Sequence, residues 1–121
     1  MKSFNLFASL TAATLLLAAM PADAARGRLN WSGSVDNVTE VYVQENHVRM
    51  QSPHGKAVDD VHYYFSRPLP LTRTRVRVKP ILGRGRLWVF QQPSARNDFT
   101  AGVRIIDPRS GRGRYSFDLV W

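Results

Sequence analysis

Two apolar textures divide the chain. Between Leu6 and Met20 the residues are almost continuously apolar, interrupted only by Ser9, Thr11 and Thr14. Beyond residue 25 the pattern becomes an alternation of period two, the repeat of a strand with one face buried and the other wet. Leu29 and Trp31 share a face in 28–33. Val41 and Val43 oppose Val38 and Tyr42 in 38–43, and Val48 and Met50 align in 47–52. Val61, Tyr63 and Phe65 align in 57–66, and Val76 and Val78 in 74–79. Leu87 and Val89 oppose Trp88 and Phe90 in 86–91. Phe99, Ala101, Val103 and Ile105 align in 99–106, and Tyr115, Phe117, Leu119 and Trp121 close the series in 114–121. β-Branched and aromatic residues dominate these runs, as strands prefer, and no 3.6-residue period is sustained. Turn signals separate them: Glu45-Asn46, Ser52-Pro53-His54-Gly55, Gly83-Arg84-Gly85, 92–98 and 107–111. Pro68-Leu69-Pro70 reads as a rigid extended crossover between sheets. About eight short strands at this spacing predict an all-β fold, an antiparallel β-sandwich in preference to a small closed barrel.

The continuous apolar run has a different meaning. Lys2 precedes it, Pro21 ends it, and Ala22-Asp23-Ala24 offers small residues where a signal peptidase reads them. This is the three-part pattern of a secretory signal peptide over 1–24, and the run is shorter than the roughly 20 residues of a comfortable membrane span. The expectation is an exported chain, periplasmic or extracellular, with a single domain over 25–121 and no transmembrane span. The sequons at Asn30 and Asn37 are taken as chance, because the leader is bacterial in style.

Charge and cysteine content now gain weight. The chain of 121 residues has no cysteine and a formal net charge of +8. No disulfide framework, Cys-type zinc site or thiol nucleophile is available, so an exported small domain has to fold on burial alone. The charge survives removal of the leader unchanged, and nearly all of it is arginine; Lys56 and Lys79 are the only lysines after residue 25.

That arginine is patterned. Arg73, Arg75, Arg77 and Lys79 alternate with Thr74, Val76 and Val78, so a strand there would line four cations along one face, roughly 6–7 Å apart. Three explanations compete: carboxylates such as Glu40, Asp59 or Asp118 on neighbouring strands, an edge strand guarded by charge, or a site for an extended polyanion. Arg-Gly-Arg before an apolar residue occurs at Arg26-Gly27-Arg28, Arg84-Gly85-Arg86 and Arg112-Gly113-Arg114. The plain explanation is a relaxed turn kept soluble. The sharper one is an anion-binding rim of exposed N–H groups beside guanidinium forks. The candidate anion-binding residues are therefore Arg73, Arg75, Arg77, Lys79, Arg84, Arg86, Arg112 and Arg114. Guanidinium suits phosphate, sulfate and carboxylate bidentately, which fits an anionic glycan, a lipid headgroup or an acidic protein. The aromatics fall mostly on core phases instead of between basic residues, so sequence-specific nucleic-acid binding is not expected.

Catalysis finds little support. His47, His54 and His62 match no zinc signature, Asp59 and Asp60 are adjacent and diverge in a strand, and no nucleophile elbow or phosphate loop occurs. No catalytic residue, metal or cofactor is assigned. The expectation is a non-catalytic anion-binding module. Its alternatives are a structural or protein-interaction module and, after that, a small outer-membrane-associated barrel suggested by the aromatic C-terminus. The patterns Trp31-Ser32-Gly33-x-Val35-Asp36, Gln92-Pro93-Ser94 and Tyr115-Ser116-Phe117-x-Leu119-x-Trp121 together resemble small exported bacterial proteins of unknown function, a resemblance that implies no activity.

Overall fold

A computed structural model describes residues 27–52, 58–108 and 112–121. The proposed leader, the Pro53-His54-Gly55 turn, Lys56 and Arg26 lie outside them. The strands are β1 Arg28–Val35, β2 Val38–Gln44, β3 His47–Gln51, β4 Asp59–Phe65, β5 Arg77–Leu82, β6 Arg86–Gln91, β7 Ala101–Ile106 and β8 Gly113–Val120, with one 3-10 turn at Ala95–Asn97. They form two four-stranded antiparallel sheets, ordered β4-β1-β8-β5 and β3-β2-β7-β6. The sheets pack face to face as a β-sandwich and do not close into one barrel.

The alternation seen in sequence becomes the core. β1 and β8 pair with Leu29 opposite Leu119 and Trp31 opposite Phe117, so the large residues of both strands point the same way. The Trp31 and Phe117 rings stack at 5.2 Å. Against this aromatic layer the second sheet sets smaller residues: Val41, Val43, Ala101, Val103 and Ile105, all fully buried. Large side chains facing small ones let the two layers interdigitate at the usual separation of about 10 Å.

The topology gives the sandwich two unlike ends. The strand ends at which the chain changes sheets, from β1 to β2, β3 to β4, β5 to β6 and β7 to β8, lie at one end, here the corner end. The opposite, crossover end holds the β2–β3 hairpin, the β6–β7 loop and the long connection 66–76. This connection departs from the sequence expectation. Pro68-Leu69-Pro70 does not pass between sheets; it carries the chain from one edge of a sheet, β4, to the other edge, β5. It caps the core on the way, with Leu69 and Val76 each 1% exposed.

The fifth strand is also displaced from its expected span of 74–79. It begins at Arg77 and runs to Leu82. Residues 73–76 are not in a sheet; instead the Gln92 side chain serves as the partner of Val76. Val76 N donates to Gln92 Oε1 at 2.8 Å, and Gln92 Nε2 donates to Val76 O at 2.9 Å. One amide side chain thus satisfies both backbone groups of a buried residue, as a strand neighbour would.

Candidate anion-binding surface

Six of the eight candidate cations fall into two groups of three, with Lys79 and Arg86 apart from both. Arg73, Arg75 and Arg77 are exposed at the crossover end, and none makes an ion pair among the described residues. Arg73 and Arg75 precede β5, so only Arg77 and Lys79 form the expected strand row. Lys79 pairs in register with Asp118 across β8, so a carboxylate neighbour is present there. β5 is an edge strand. A carboxylate neighbour, opposite Lys79, and an edge position, along β5, are therefore both present in the row.

The segment bearing these arginines is held from several sides. Ser66 N donates to Arg28 O at 2.9 Å, and Leu69 N to Glu45 O at 3.1 Å. Gln92 grips Val76, and Arg73, Thr74, Arg75, Gln92 and Pro93 line a depression of about 190 Å³. The loop carrying Gln92 is itself latched. Asn97 Oδ1 accepts from Ser94 N and Thr100 N, and its Nδ2 donates to Gln92 O. Arg67 and Arg96 are exposed at the same end, and Glu45 and Asp98 are its exposed acids.

At the corner end the arginines meet carboxylates. Arg84 Nε donates to both oxygens of Asp107, at 3.0 and 3.1 Å, and the Asp107 side chain is fully buried. Arg112 pairs with Asp59, and Arg114 lies 3.8 Å from Asp60. The adjacent aspartates, expected to diverge, thus reach two successive cations of one Arg-Gly-Arg triplet. Leu82, Gly83, Arg84, Arg112, Gly113 and Arg114 line an open depression of about 380 Å³. Arg86 belongs to neither group: its guanidinium sits 5.1 Å from the Trp88 ring.

The glycines of the triplets have packing reasons that turn chemistry alone did not supply. A Cβ on Gly85 would run into the Ile106 carbonyl oxygen, and one on Gly113 into the Asp107 carboxylate. Gly27, at the other end, lies under the Trp121 indole. So Gly85 and Gly113 share the Asp107 corner and Gly27 does not join them. The Tyr115 hydroxyl is buried beside this corner without a hydrogen bond of good geometry. Burial, and then the Asp107 charge, raise its pKa above the ordinary 10.0.

A further cluster escaped the sequence reading, which placed the aromatics mostly in core phases. Tyr42, Trp88 and Phe90 lie on the outer face of the second sheet, among arginines. The Arg49 guanidinium is 4.4 Å from the Tyr42 ring centre, and that of Arg104 is 4.3 Å from Phe90. Tyr42 and Phe90 meet edge to face at 5.7 Å. Arg104 donates to Glu40 Oε2 from Nε and Nη2, at 3.0 and 2.7 Å, and the Tyr42 hydroxyl donates to Glu40 Oε1 at 2.8 Å. Burial and the Glu40 hydrogen bond raise the Tyr42 pKa. This ladder is internally satisfied: each ring is capped by a cation, and the carboxylate is fully engaged. The strict alternation of Trp88 and Phe90 with Leu87 and Val89 signalled two faces without saying which faced water.

His47 and His62 are exposed. Among the described residues no three His, Asp or Glu side chains gather where a metal ion could be held, and no helix is long and apolar enough to cross a membrane. The chain matches no protein-family model, no curated protein and no solved structure.

Proposed function

We propose that this chain is an exported, non-catalytic β-sandwich that binds an anionic envelope or extracellular partner through the arginines of its crossover end. One observation carries the reading. Arg73, Arg75 and Arg77 stand exposed with no carboxylate partner among the described residues, while Arg84, Arg104, Arg112 and Arg114 each have one. Like charges carried at alternate positions of one segment repel, so stability alone would not choose this arrangement. A bound phosphate, sulfate or carboxylate would supply the missing counter-charge, and guanidinium forks suit each of these groups. The corner-end cations, Arg84, Arg112 and Arg114, are the weaker half of the candidate set because a ligand there has to compete with Asp107, Asp59 and Asp60.

Heparin serves as the test polyanion. Arg73→Gln, Arg75→Gln and Arg77→Gln together should weaken heparin binding at least tenfold at about 0.15 M salt and flatten its salt dependence. Arg112→Gln with Arg114→Gln should leave both nearly unchanged. Undiminished binding by the triple variant would overturn the reading. A protein-interaction module would then be the better account. It is favoured by the exposed Ile81 and Leu82 on β5, next to a groove of about 370 Å³ lined by Pro80, Leu82, Leu87 and Trp88.

A further inference from the structure

We infer that the anionic partner is a lipid surface, and that Leu71 enters it while the surrounding arginines hold the headgroup phosphates. The inference rests on the proposed anion-binding role of the crossover end and goes beyond it by naming the partner. Leu69 and Leu71 lie two residues apart on the same connection and have opposite fates. Leu69 is 1% exposed and caps the core, whereas Leu71 is 49% exposed. A leucine left in water contributes nothing to a site for a soluble polyanion. At a membrane interface it has a use, because burying the remaining apolar surface is favourable there.

The neighbourhood fits that use. Arg67 precedes Leu71, and Arg73 and Arg75 follow it, all exposed. Each arginine near an anionic leaflet strengthens binding about fivefold. Pro68 and Pro70 restrict the backbone beside Leu71, so presenting the side chain loses little conformational freedom on binding. Leu69, its hydrogen bond to Glu45, and the Gln92 clasp on Val76 fix both flanks to the sandwich. Tyr64, next to last in β4 at this same end, is 65% exposed. Its amphipathic ring is of the type that settles at the headgroup level.

The absence of cysteine permits a site-specific test in the full chain. Leu71→Cys, labelled with an environment-sensitive fluorophore, should brighten and shift to the blue on vesicles of phosphatidylcholine with phosphatidylglycerol. It should do neither on phosphatidylcholine alone nor with heparin. The same label at Arg114→Cys, on the corner end, should stay unchanged. Because each label reports its own position, any contribution from the N-terminal apolar run is separated. In unlabelled chains, Leu71→Asn should lower partition into the anionic vesicles about five- to tenfold while heparin binding persists. Arg73→Gln, Arg75→Gln and Arg77→Gln together should lower partition on the order of a hundredfold. If heparin binding depends on these arginines but the Leu71 label never responds to vesicles, the lipid inference fails and the anion-binding role stands. If neither heparin nor vesicles depend on the arginines, both fail. A vesicle response equal at Leu71 and Arg114 would also overturn the inference, since insertion would then not be confined to the crossover end.

Discussion

The two ends of this sandwich carry the same residue type in opposite circumstances. At the corner end Arg84, Arg112 and Arg114 lean on Asp107, Asp59 and Asp60. At the crossover end Arg73, Arg75 and Arg77 lean on no acid among the described residues. The corner end is where the chain changes sheets, and its turns pack so closely that Gly85 and Gly113 leave no room for a side chain. Cations there are part of the construction. The crossover end is closed by apolar plugs, Leu69 and Val76, and by an amide clasp. Its Arg73, Arg75 and Arg77 make no ion pair among the described residues, which is the contrast the proposed binding role draws on. The same guanidinium group is thus paired or unpaired according to whether a carboxylate lies within reach, buried at Asp107, part-exposed at Asp59 and exposed at Asp60.

The largest expected effect tests that contrast directly. Arg84→Met leaves the fully buried Asp107 carboxylate without its cation, which should destabilise the fold by about 3 kcal/mol. Arg77→Gln, on the exposed edge, should change stability by less than about 0.5 kcal/mol. Urea unfolding of both variants at neutral pH makes the comparison. Equal losses would mean that the crossover-end arginines are also structural, and the division of roles would collapse.

The next effect concerns the clasp. Gln92→Ala strands the N–H and C=O of buried Val76, and should destabilise the fold by about 2 kcal/mol. It removes no charge, yet it should also weaken heparin binding several-fold, because Arg73 and Arg75 lose the support that holds their segment against the sandwich. Calorimetric melting and heparin retention read the two consequences separately. A loss of stability with heparin retention untouched would show that the arginines act as diffuse charge and need no fixed backbone.

How much of this was legible depends on the range of the forces involved. Tyr115, Phe117 and Leu119 declared their strand and its buried face, because alternation and bulk are local signals. The Glu45-Asn46 hairpin was also visible. The Arg73 to Lys79 row misled because Arg-Thr-Arg-Val-Arg-Val alternates equally well in a strand and in an extended segment clasped by a side chain. Only Gln92, sixteen residues away, decides between them. The exposed set of arginines was legible as a composition and a spacing. Which of them were already spoken for was not, since Arg84 finds Asp107 across 23 residues and Arg104 finds Glu40 across 64. The outer aromatic ladder was missed because Trp88 and Phe90 look like core by residue type.

The smallest effect is a pH dependence that belongs to the corner end. Tyr115 has its hydroxyl buried beside Asp107 with no well-formed hydrogen bond, and its pKa is raised by burial and by that charge. A tyrosine whose folded pKa exceeds its unfolded value binds its proton more tightly when folded. Its contribution is therefore fully present below pH about 10 and is lost as pH rises through the folded value. Tyr115→Phe removes this titration along with an unsatisfied buried group. At neutral pH the variant should match or slightly exceed the wild type, by about 1 kcal/mol at most. Above pH about 10 its stability should fall less steeply, and a residual slope should remain from Tyr42, whose pKa is also raised. Urea titrations at stepped alkaline pH measure the difference. Heparin binding by Tyr115→Phe at neutral pH should equal that of the wild type, because the hydroxyl lies at the opposite end from Arg73, Arg75 and Arg77. A change in heparin binding on removing that single buried oxygen would mean that the two ends are coupled through the core, and that the corner end takes part in the proposed binding.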